Sequence, residues 1–112
     1  YYAAFFAGFD AKNDKKYSKL YKLMTSGFTA GGNSRPEIVN IDMFIGVYMR
    51  LLTLLKYGEY ELIIKCVTDY FGEMGRTTRT LWEHSHGRAS KNHGFASFAA
   101  YALDIAYNAL NK

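Results

Sequence analysis

The feature that most constrains this chain is an alternation of segments that are apolar on every side with segments that are apolar on one side only. Tyr1 to Phe9 carries no charge. Asp14 to Thr25 puts Tyr17, Leu20, Tyr21 and Met24 on one face and Lys15, Lys16, Lys19 and Lys22 elsewhere, the i, i+3, i+4, i+7 spacing of an amphipathic helix. From Ile41 to Lys56 one apolar stripe (Ile41, Phe44, Ile45, Tyr48, Leu52, Leu55) lies beside a second (Val47, Leu51, Leu54). A helix apolar all round must be buried all round. Glu59 to Phe71 returns to a single stripe, with Glu61 and Lys65 paired at i, i+4 on its polar side. Phe95 to Leu110 has Asp104 as its only charge and reads as buried, its alanines permitting close helix approach.

Buried and half-buried helices in alternation predict an all-α fold in which inner helices form a ring and outer helices wrap it. The connections agree with that order. Inner-to-outer links are short, around Ala11–Asn13 and Tyr57–Gly58, and outer-to-inner links are long, around Ser26–Asn40 and Gly72–Asn92. Long loops gathered on one face of a rigid scaffold are where function usually sits. The stretch from Gly31 to Pro36 is a turn by composition, within the architecture rather than between domains.

A chain of 112 residues, 49% hydrophobic and 17% aromatic, has ample material for one core and reads as one domain. Its net charge of +4 is spread out, and the single basic cluster, Lys12, Lys15, Lys16, Lys19 and Lys22, reads as a solvated helix face, so no nucleic-acid partner is expected. No segment approaches the ~18 uncharged apolar residues that a membrane span requires. The lone Cys66 excludes an internal disulfide and, inside an apolar stripe, reads as a small buried hydrophobe. The chain opens without Met in the middle of an apolar run, which reads as part of something longer.

The chemistry-bearing residues converge on one link, in Trp82-Glu83-His84 and Asn92-His93-Gly94. A carboxylate beside indole and imidazole suits sugars, since an aromatic face covers the apolar side of a pyranose while the acid handles protons and water. Glu83 fits a general base or a sugar-hydroxyl ligand; the alternative is a helix cap or an ion pair with Arg76, Arg79 or Arg88. His93 is the imidazole best placed to bond a ligand hydroxyl, Asn92 or Ser90 can serve as an N-cap, and Gly94 allows close approach of the main chain. His84, His86 and His93 have a spacing only weakly diagnostic of metal, and no metal and no cofactor is expected. No Gly-x-Ser-x-Gly elbow supports a serine hydrolase.

The run from Asp42 to Leu51, then Tyr57-Gly58, Tyr70 to Met74, Thr80 to Glu83 and Ala89 to Ser97, resembles the end of the catalytic domain of bacterial α-L-rhamnosidases, glycoside hydrolase family 78. The order and spacing of these blocks fit from Ile38 to Leu110. The resemblance implies that residues 1–112 are the C-terminal segment of an (α/α)6-barrel catalytic domain that cleaves terminal α-L-rhamnosides with inversion. It casts Glu83 as the general base, His93 and Asn92 as sugar-binding residues and Trp82 as a shaper of the pocket, and it puts the general acid on an earlier segment. The expected partner is a rhamnose-containing glycoside or polysaccharide, and a piece of a barrel with apolar inner faces is expected to self-associate. Two readings of other classes stand beside it: a helical interaction module without chemistry, and a helical barrel that binds glycan without cleaving it.

Overall fold

The structure, a computed structural model, describes residues 7, 8, 10–29, 32–38, 44–84 and 88–112. Four α-helices make up most of the described residues: α1 (Ser18–Thr25), α2 (Phe44–Tyr57), α3 (Tyr60–Thr78) and α4 (Phe98–Leu110). Short 3-10 turns, Lys15–Tyr17 and Gly94–Ser97, run directly into α1 and α4. The helical segment expected over Tyr1–Phe9 lies outside the described residues except for Ala7 and Gly8, which are exposed. Periodicity did not anticipate the small antiparallel ladder of β1 (Phe28–Thr29) and β2 (Gly32–Asn33), which pairs Phe28 with Asn33 and Thr29 with Gly32.

Helices α2, α3 and α4 pack against one another in all three pairs. Their shared core is Phe44, Val47, Leu51 and Leu54 from α2, Ile63, Cys66, Tyr70, Phe71 and Met74 from α3, and alanines 96, 99, 102 and 106 on the α4 side. The all-round apolar character of α2 has the expected result, since only Ile45 and Lys56 in it are exposed. Arg50 and Thr53 are buried there too, and Thr53 satisfies its hydroxyl by donating to the Met49 carbonyl at 2.7 Å. Burial raises the thiol pKa of Cys66, which keeps it neutral within the core.

Two segments depart from their expected form. Helix α3 does not stop at Phe71 but continues to Thr78. Met74 extends the buried stripe from Tyr70, while Glu73 binds Arg76 at 3.1 Å and Thr77 at 3.0 Å on the solvent side. Burial of Met74 outweighs the ~1 kcal/mol that each interior glycine, Gly72 and Gly75, costs a helix. The second departure is α4, which packs through one alanine stripe only. On its other faces Tyr101 is 58% exposed and Tyr107 63%, so low charge alone did not mean burial.

Helix α3 ends on Arg79 in the left-handed region (φ 59°), whose N–H donates to the Gly75 carbonyl at 3.1 Å. A left-handed conformation strains any residue with a Cβ. Arg79→Gly is therefore expected to stabilise the chain by about 0.5–1 kcal/mol, read as a higher urea midpoint at unchanged slope.

At the end of α2, Gly58 (φ +70°) closes a Schellman turn: its N–H donates to Leu55 O at 3.1 Å and Glu59 N–H to Leu54 O at 2.9 Å. The other short link joins it there. Ala11 N–H donates to the Tyr57 hydroxyl at 3.2 Å, and Lys12 Nζ donates to Tyr57 O at 2.7 Å and to Glu59 at 3.1 Å. The Tyr21 hydroxyl also donates to Glu59, and Ala11, Met24 and Tyr57 form a second buried cluster. Both short links thus meet at one end of α2. No helix among the described residues is long and apolar enough to cross a membrane.

Candidate functional site

The link between α3 and α4 is held by its own main chain. His93 N–H donates to Leu81 O and Glu83 N–H to Ser90 O, each at 2.9 Å, which folds the link back on itself. The Glu83 carbonyl accepts from Phe44 N–H at 2.8 Å, satisfying a donor at the first residue of α2, and the His93 carbonyl accepts from Ala96 N–H at 3.0 Å, leading into the 3-10 turn. The link therefore sits at the N-terminal end of α2, about 20 Å along that helix from Tyr57–Gly58 at 1.5 Å per residue.

Beside it opens a cleft of about 990 Å³. Glu83, His93, Gly94 and Ser97 line its polar side. The rest is apolar: Phe44, Ile45 and Tyr48 from α2, Phe98 and Tyr101 from α4. The rings form a continuous set, with His93 6.2 Å from Phe44, Phe44 6.1 Å from Tyr48, Tyr48 edge-on to Phe98 at 4.5 Å, and Phe98 5.5 Å from Tyr101 between centroids. Such walls offer aromatic faces to the CH groups of a ligand while the polar side orients it.

Of the four residues singled out in the sequence, the fold brings Glu83 and His93 to one cleft and leaves Trp82 and Asn92 out of its lining. Trp82, expected to shape the pocket, turns instead to the end of α3: its indole N–H donates to the Thr78 hydroxyl at 2.7 Å and its main-chain N–H to Met74 Sδ at 3.3 Å. A half-buried indole needs a partner for its N–H, and the extended α3 supplies one. Lys91 lies over the outer face of the ring, 5.3 Å from its centroid. Asn92 is exposed, and its main-chain N–H reaches the Ser90 hydroxyl at 3.4 Å. Neither caps α4, whose N-cap is Ser97.

Arg76 binds Glu73 instead, and none of the ion pairs among the described residues involves Glu83. Its carboxylate is thus half-buried and without a cationic partner there. No group of three potential metal ligands gathers among the described residues, and His86 lies outside them. The aromatic lining was missed in the sequence, although a signal exists: Phe44 and Tyr48, and Phe98 and Tyr101, fall at i, i+4 and i, i+3 in the first turns of the helices that follow the two long links.

No protein family, curated protein or solved structure matches this chain. The site's chemistry rests on its own geometry: one carboxylate, one imidazole and one serine hydroxyl over aromatic walls, a set able to orient a polyol and to accept a proton from water.

Proposed function

We propose that this chain is the C-terminal part of an α-L-rhamnosidase-like glycoside hydrolase with an (α/α)6 barrel, in which Glu83 is the general base and His93 binds the sugar. The observation that carries the reading is the convergence of Glu83 and His93 on one aromatic-walled cleft. The meeting of both short links at the opposite end of α2 is in keeping with alternating inner and outer helices. The exposed rings of α4 fit an inner helix that further barrel helices, or a second copy, would cover.

Inverting hydrolysis needs two carboxyl groups roughly 6.5–9.5 Å apart, one to protonate the leaving oxygen and one to activate water. The described lining of the cleft holds one, Glu83, and on the rhamnosidase-like reading the acid is carried by an earlier segment. The chain alone is expected to bind L-rhamnose, followed by the NMR shifts of the Glu83 and Ser97 main-chain amides, without hydrolysing an aryl α-L-rhamnoside. His93→Ala should weaken that binding by about 1–3 kcal/mol, as for a lost polar contact in a partly desolvated site. Absence of L-rhamnose binding would defeat the sugar-site reading. Turnover by the chain that disappears in Glu83→Gln would instead bring both carboxylates within these residues.

One carboxylate among the described lining residues also suits a barrel that binds glycan without cleaving it. Activity of the longer protein on aryl α-L-rhamnosides separates the two.

A further inference from the structure

Gly94 and Ser97 stand one turn apart on the polar side of the cleft, and neither is accounted for by the fold. Gly94 is not among the residues with positive φ, so its backbone suits any L-residue. A Cβ there would meet no atom within 4 Å, so packing does not require a glycine either. Gly75 has the same open space, but on the solvent face of α3; at Gly94 the open space adjoins the cleft. Ser97 is itself in helical conformation, where the 3-10 turn runs into α4, so its side chain has no capping role, and it makes no side-chain hydrogen bond to the helix. Its exposed hydroxyl faces the same cleft as Glu83 and His93.

We propose that the Gly94–Ser97 turn is the specificity-determining wall of the sugar subsite. Gly94 leaves room for a pyranose to lie against the main chain, and Ser97 exchanges a hydrogen bond with one of its ring hydroxyls. The assignment rests on the sugar-binding reading of the cleft and adds to it the surface that selects the ligand by shape. It also explains why the aromatic side is built from large rings while the turn opposite keeps only small side chains at the two lining positions, Gly94 and Ser97.

The test is L-rhamnose titration of the chain and of three variants, Gly94→Ala, Gly94→Val and Ser97→Ala, with His93 imidazole shifts as readout and thermal unfolding run on each. Gly94→Ala should leave the melting temperature equal or higher, since it restricts the unfolded chain without straining the folded one. Its affinity should nevertheless fall several-fold, and that of Gly94→Val more than about tenfold, as a side chain occupies space meant for the ring. Ser97→Ala should lose about 3–10-fold, the worth of one neutral hydrogen bond. A drop in melting temperature for Gly94→Ala would assign the glycine to folding and overturn its role. If the parent chain binds L-rhamnose and the Gly94 variants bind equally well, the wall assignment alone falls, and an unchanged Ser97→Ala removes the serine from it. If the parent does not bind, the sugar reading falls and takes this assignment with it.

Discussion

Under the proposed reading, Glu83→Gln in the longer rhamnosidase is expected to lower kcat by a factor on the order of 10²–10⁴ and to leave KM nearly unchanged. Glutamine keeps the shape of the side chain and can still hold a water by hydrogen bonds, but it cannot take the proton that makes that water a nucleophile. The fold gives no reason for collateral damage. Glu83 is fixed through its main-chain N–H to Ser90 and its carbonyl to Phe44, and its carboxylate forms no ion pair among the described residues. Steady-state kinetics on an aryl α-L-rhamnoside measures the split between kcat and KM directly. Wild-type kcat in this variant would remove the base from Glu83 whatever His93 does.

Phe71→Ala should cost about 3–5 kcal/mol of stability, the range for truncating a buried aromatic without collapse of the void. Phe71 is 4% exposed, packs edge-on against Tyr70 at 4.9 Å and backs Phe44 at 6.1 Å. A domain of this size holds roughly 5–15 kcal/mol in total, so the variant should be marginal and its urea midpoint sharply lower. Phe44 is also the ring beside His93, and L-rhamnose affinity should fall together with stability. Phe71→Leu, which keeps most of the volume, should lose much less of both. A loss below about 1 kcal/mol in the alanine variant would mean that Phe71 is not the support of the cleft wall.

What the sequence disclosed follows from which interactions are local. Helix α2 was readable because apolar residues on every face leave no side for water, and the approach of Glu83 to His93 was readable because both stand on one link. The length of α3 was not. Its glycines resemble a stop, and what overrides them is burial of Met74 against other elements, a tertiary fact absent from a helical period. The position of the Trp82 indole depends on the same fact, since its partner Thr78 stands on the last turn of α3. In α4 the lack of charge suggested burial, but only the alanine stripe is covered, because what packs on a helix is decided by its neighbours. The complete burial of Arg50 beside Leu51 had no periodic signature.

The bond from Phe44 N–H to the Glu83 carbonyl joins the first residue of the central helix to the residue beneath the candidate chemistry. For the Phe44 amide to exchange its proton with solvent, the link between α3 and α4 must first let go of it. Protection of that amide therefore reports on the link as well as on the helix, and a ligand seated over Glu83 should slow deuterium uptake at an amide that belongs to the scaffold.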